Sequence, residues 1–278
     1  MISVQRIRAQ KKLVGAIYRH FSYVSEKDLL DRVPYNFGGV KAQINPNSTY
    51  KVYQLLHSIF NDKLDHGFKF AYESMLDAFE NHDLEFFQET VEPNLYLKIQ
   101  RGFEFLESKG LKICQQNKNS QFDIAYNSLE IHNGVYFDRQ KNPSGLRKQS
   151  LQMFDYAIFN LYTSNDMGAS FPFQGLVSRP ILQIGLYLSS SRKLYLEDSN
   201  GKIVAGENSN MNQTHKILFE TDPGEASSLG NNQIFNMLRG FQTNTNKEKL
   251  FKEIFIGNDS QWKITDIDNF MKGNPFTR

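Results

Sequence analysis

Apolar residues in the first half of the chain recur every three or four positions. Phe68, Ala71, Tyr72, Met75, Leu76 and Phe79 share one side of a helix, which predicts a buried face. Asn81 and Asp83 interrupt that pattern and offer a break and an N-cap for a short helix presenting Leu84, Phe87 and Val91. Pro93 suits the first turn of the next helix, where its missing N–H is not needed. Leu95, Ile99, Phe103 and Leu106 line that helix, and Gly110 stands where a left-handed cap closes it. Gly102 inside it costs about 1 kcal/mol against Ala, so the position predicts a close approach by another element. Upstream, Ser25 is an N-cap for SEKDLLDRV, Pro34 stops that helix, and KVYQLLHSIF carries a further apolar stripe.

From Leu111 the period changes to two. LKICQQN, FDIAYNSLEIHNGVYFD, LQMFDYAIFNLYT, ILQIGLYLSSSRKLYLED and HKILFETD alternate and are rich in β-branched and aromatic residues. Asn200-Gly201, flanked by Leu194, Leu196 and Ile203, predicts a hairpin with a type I′ turn. NNQIFNMLRGF reads as a short helix within a polar insertion at about 223–247. QWKITDIDNF reads as a last strand with Trp262, Ile264 and Ile267 inward and Asp266 and Asp268 on a solvent-facing edge. Helices first and antiparallel strands after them make the expected class α+β, a curved sheet wrapped over a helix pair.

Composition narrows the function classes. The 278 residues include 40% hydrophobic and 13% aromatic positions, ample for a core, and carry a net charge of +2. Such a balance does not advertise nucleic-acid binding. One cysteine, Cys114, excludes an intrachain disulfide and a multi-cysteine zinc site, and reads as a small packed residue. No apolar run approaches the ~20 residues of a spanning helix. The histidines at 20, 57, 66, 82, 132 and 215 form no metal-binding pattern, and no carboxylate lies at a spacing that suggests a catalytic triad. Phosphate loops, dinucleotide fingerprints and nucleophile elbows are absent from the sequence. The expectation is therefore a protein without cofactor, metal or catalytic residue.

Charge is unevenly placed. Residues 1–25 hold Arg6, Arg8, Lys11, Lys12 and Arg19 with no acid, which leaves the rest of the chain at a net −3. Val14, Ile17, Phe21 and Val24 recur there at helical spacing. An acid-free, Arg-rich amphipathic segment reads as a mitochondrial presequence, as a retained helix lying on anionic membrane, or as a solvated basic tail. Arg139, Lys141, Arg147 and Lys148 surround a turn in RQKNPSGLRK, either a solvated loop or a contact for phosphate or an acidic protein. These nine basic residues are the candidate membrane or partner contacts.

FAYESMLDAFENHDLEFFQETVEPNLYLKIQRGFEFLESKGLKI resembles the opening of the mitochondrial Tim-forty-four-like domain family, through Asp83-Leu84, Pro93 to Tyr96 and Lys109 to Lys112. YLEDSNGKIVAGENSNMNQTHKILFE is similar to its later hairpin and QWKITDID to its terminal Trp strand. The resemblance divides the chain into a basic segment 1–25, an extension and connector 26–61, the domain 62–270 with insertions near 139–180 and 223–250, and a tail 271–278. It implies a cystatin-like or nuclear-transport-factor-like curved antiparallel sheet packed on N-terminal helices. It also implies a non-catalytic binding role on the matrix face of the mitochondrial inner membrane. Only about 60 residues precede the domain, where the family's import-motor anchor has a long charged region. The chain is also less basic than the family's ribosomal member. The expected role is therefore a structural subunit of a respiratory complex or ATP synthase, in contact with other subunits and with anionic, cardiolipin-type lipid. The alternatives are a membrane-docking protein of the mitochondrial large ribosomal subunit, touching ribosomal RNA, and a tether of the import motor.

Overall fold

In the computed structural model, the described residues are 25–43, 50, 53–54, 56–57, 63–133, 149–151, 181–207, 210–221 and 262–271. Helix α1 (Glu26–Arg32) is started by a capping box: Ser25 accepts from the Asp28 amide and Asp28 accepts from the Ser25 amide. It stops at Val33, which is extended, as the residue before a proline prefers. Helix α2 (Lys63–Asn81) buries Phe68, Tyr72, Met75, Leu76, Ala78 and Phe79. His82, at φ +54°, breaks it, and the Asp83 side chain accepts from the Phe86 amide at 3.0 Å to open α3 (Leu84–Thr90). Helix α4 (Pro93–Ser108) has Pro93 in its first turn and buries Leu95, Ile99, Gly102, Phe103 and Leu106. Gly110, at φ +63°, closes it, with the Gly110 and Leu111 amides donating to Glu107 and Leu106.

The strands are β1 (Lys112–Gln116), β2 (Asp123–Asn133), β3 (Gln149–Leu151), β4 (Ile181–Ser190), β5 (Lys193–Glu197), β6 (Ile203–Ala205), β7 (Gln213–Thr221) and β8 (Trp262–Ile267). All pair antiparallel, so the architecture is α+β. They divide into two sheets, β1-β5-β6 and β3-β2-β4-β7-β8. The division falls at the two-residue link between β4 and β5. Ser190 Oγ accepts from the Arg192 amide and donates to the Gln121 carbonyl, which bends the chain out of one sheet and into the other. The Arg192 guanidinium then reaches Asp77 of α2 at 2.8 Å and pins the corner to the helical layer.

Between helices and sheets the space is filled by rings. Phe79 lies 4.8 Å from Phe87 and 5.9 Å from Phe103, Phe68 lies 4.5 Å from Phe219, and Tyr72 lies 5.1 Å from Phe122 (centroid distances). Each such side chain taken from water contributes about 1.5–3 kcal/mol. Residues read from sequence as extension and connector add Leu29, Val33, Tyr35 and Phe37 to the same core. Gly102 permits this: a Cβ there would stand 3.2 Å from the Arg32 carbonyl oxygen, so α1 crosses α4 at backbone distance.

Two expectations are corrected. The turn after β5 is not type I′, because Asn200 is not in the left-handed region and only Gly201 is, at φ +76°. Asp198 organises the turn instead. Its Oδ1 accepts from the Asn200 and Lys202 amides, and Gly201 donates to the Asp198 carbonyl, leaving a type I turn with Gly201 as a bulge. These amides hold the Asp198 carboxyl below its usual pKa. The second correction concerns Asp266 and Asp268, which do not face solvent. The β7–β8 register shifts between Leu218 and Phe219, breaking strict alternation, and Thr265, Asp266 and Ile267 are all buried.

Candidate functional site

Asp268 follows β8 at φ +54° and turns its carboxylate inward, with 3% of the side chain exposed. Its Oδ2 accepts from His215 Nδ1 at 2.8 Å and from the Asn36 amide at 3.0 Å; its Oδ1 accepts from the Lys216 amide at 2.9 Å. A carboxylate only accepts, so Nδ1 of His215 carries a proton, while Nε2 faces the Tyr35 hydroxyl at 3.0 Å and the Gln213 Oε1 at 3.2 Å. The Tyr35 oxygen receives the Leu194 amide at 3.4 Å, and its ring stacks on the imidazole at 4.5 Å. Burial, and next the Asp268 charge, push the Tyr35 hydroxyl far above its ordinary pKa, so it keeps its proton. Tyr72 lies alongside, its buried hydroxyl next to that of Tyr35, and burial and then Tyr35 push it likewise far above its ordinary pKa.

Hydroxyl, imidazole and carboxylate in series is the order that activates a nucleophile. Here Tyr35 and His215 are each 1% exposed, and every acceptor site of Asp268 in use points at protein. The series acts as a tie, and Tyr35 and Asp268 also reach the floor of a cleft between α1 and α4. The tie joins the segment after α1 to β7 and to the turn after β8. The same segment continues as a strap: Gln213 donates to the Phe37 carbonyl at 2.5 Å, the Val40 amide to Thr214 at 2.8 Å, and the Tyr187 hydroxyl accepts from the Gln43 amide at 3.2 Å. Sequence spacing missed this group because the partners lie 53 and 180 residues apart. The one local signal was an Asp after a terminal strand in a left-handed-tolerant Asp-Asn pair.

Among the described residues, two of the clefts on the outside stand out. One, of about 770 Å³, lies between α1, the outer face of α4 and the turn 268–271, with Leu30, Asp31, Leu97, Lys98, Arg101, Phe270 and Met271 in its walls. The other, about 220 Å³, is an apolar groove among Gly67, Phe70, Phe86, Thr90 and Trp262, beside β8, whose outer side is bridged at Ile264 by Val91 and the Glu92 amide. Cys114 is half-buried opposite Tyr195, 3.5 Å from the Glu197 carboxylate; burial and that charge push its thiol up and make it a poor nucleophile. His82 stacks on Phe103 at 4.5 Å between α2 and α3, and partial burial lowers its pKa. Among the described residues no group of three or more His, Cys, Asp or Glu side chains is placed to hold a metal ion, and no helix is long and apolar enough to cross a membrane.

The candidate contacts Arg6, Arg8, Lys11, Lys12, Arg19, Arg139, Lys141, Arg147 and Lys148 lie outside the described residues, as do the expected strand after Leu151 and the short helix at 231–241. No family model matches the chain, and no curated protein matches it either.

Proposed function

We propose that this protein is a non-catalytic structural subunit of a large assembly on the matrix face of the mitochondrial inner membrane, a respiratory complex or ATP synthase. One observation carries the reading. The space that a binding fold of this class would offer a reactant is occupied by Phe68, Met75, Phe79, Phe87, Leu95 and Phe219, each 2% exposed or less. The polar series inside is spent on backbone and side-chain partners. What remains for function is the outer surface, which is how a scaffold works. The acid-free basic segment 1–25 and the resemblance to the Tim-forty-four-like family supply the compartment. They also supply the finer fold proposal, a cystatin-like arrangement in which helices precede an antiparallel sheet.

The test is migration of the tagged chain from detergent-solubilised mitochondria on a native gel. Co-migration with a respiratory complex or ATP synthase, resistant to RNase, is expected. Migration as a free monomer overturns the reading. Sedimentation with the large ribosomal subunit, abolished by RNase, replaces it with ribosome docking, and cross-linking to a matrix chaperone replaces it with import-motor tethering.

A further inference from the structure

The cleft between α1 and α4 has the chemistry of a protein-docking surface. Lys98 and Arg101 stand one helical turn apart on the outer face of α4, both exposed, and among the described residues neither makes an ion pair or a side-chain hydrogen bond. On the exposed face of α2, by contrast, Glu80 is paired with Lys118. Leu97 and Leu30 flank the two cations at 47% and 42% exposure, among the most exposed large apolar side chains described. Phe270 and Met271 form the far wall. The walls are open along the helix, so a small molecule would remain half in water, whereas an elongated element lying along α4 would cover the apolar side chains.

We propose that this cleft seats an acidic amphipathic helix from a neighbouring polypeptide. Carboxylates three or four residues apart on that helix would meet Lys98 and Arg101, whose own spacing is one turn. Its apolar stripe would lie on Leu97, Leu30 and Met271. Asp31 stands on the α1 wall, but along α4 itself the charges are the two cations, so charge complementarity there selects an acidic partner over a basic one. The cleft floor is rigid enough to serve as a template. Asp268 and Tyr35 form part of it, held by the buried series, and the Asp266 carboxylate fixes the turn by accepting from the Met271 amide at 2.8 Å. The proposal rests on the scaffold reading and names one of its contact faces.

The experiment places a photo-reactive benzophenone amino acid at position 97 of the full chain in mitochondria, and a second at position 70 as a control outside the cleft. After irradiation, the peptide joined to position 97 is sequenced by mass spectrometry, with and without Lys98→Glu and Arg101→Glu. The expected product is a peptide of helical apolar period with Asp or Glu at three- or four-residue spacing. The double charge reversal should cut its yield roughly tenfold, the size expected for two lost exposed pairs plus new repulsion, and leave position 70 unaffected. A product with lipid or nucleic acid, a peptide without such carboxylates, no product, or a yield indifferent to charge reversal overturns the proposal. Native-gel co-migration is read separately: if it persists while cross-linking fails, this face is wrong and the scaffold reading stands.

Discussion

His215 and Asp268 meet at 2.8 Å across 53 residues of chain, both side chains out of water. Removing the carboxylate leaves the imidazole and the Asn36 and Lys216 amides without their acceptor. Asp268→Ala is therefore expected to cost about 2–4 kcal/mol, from several unmet donors at about 1–3 kcal/mol each after relaxation. Tyr35→Phe, which leaves Nε2 and one amide, should cost about 1–2 kcal/mol. Urea unfolding followed by circular dichroism reads both; equal, negligible losses would show that the series bears no weight.

Two ion pairs with α2 test how far burial decides strength. Arg192 has 7% of its side chain exposed and holds Asp77, whereas Lys118, at 55%, holds Glu80. Asp77→Ala leaves the guanidinium only the longer contacts to Glu73 at 3.9 Å and Gln115 at 3.5 Å and should cost about 1–3 kcal/mol, below the ~3–5 kcal/mol of a fully buried pair because Glu73 remains and Asp77 is itself half exposed. Glu80→Ala should cost less than about 1 kcal/mol and less still at high salt. Comparable denaturation midpoints for the two variants would refute this ordering.

The turn geometry after β5 separates two neighbours that sequence alone treats as a pair. Gly201→Ala forces a side chain into φ +76° and should cost about 1 kcal/mol, while Asn200→Ala should be nearly silent. Thermal melts settle it, and a type I′ turn would make both substitutions costly.

His82 makes stability depend on pH. Its folded pKa lies below the unfolded value of 6.5 because partial burial against Phe103 disfavours the imidazolium. The unfolded chain thus binds more protons, so stability present above the unfolded value is lost as pH falls through it. His82→Asn keeps a residue tolerant of φ +54° and removes the titration. The difference in denaturation midpoint between wild type and variant should shift against wild type between pH 7 and 5. A constant difference would assign the acid response elsewhere.

The helical half of the fold was legible because its signals are local. Phe68 to Phe79 and Leu95 to Leu106 show their period within a few turns, and Asp83, Pro93 and Gly110 mark the ends. The buried acid series was not legible. Asp268 reads as an exposed strand residue until the register shift between β7 and β8, with its extra residue Thr265 in β8, is known, and Tyr35 sits in what composition marks as a connector. Glu92 was missed for a similar reason: a buried glutamate capping α4, accepting the Asn94 and Leu95 amides, looks in sequence like any acid before a proline. The cleft cations Lys98 and Arg101 were hidden by their ordinariness, since only the opposing wall gives them a role.

The strap over β7 has a consequence for the order of assembly. Its hydrogen-bond partners lie 144 to 232 residues downstream, so during synthesis Tyr35, Asn36 and Gln43 must wait for them until the later strands have emerged. The strap stays unsealed until those strands arrive. A nascent chain halted before Asp268 would leave its front accessible to whatever machinery reads it.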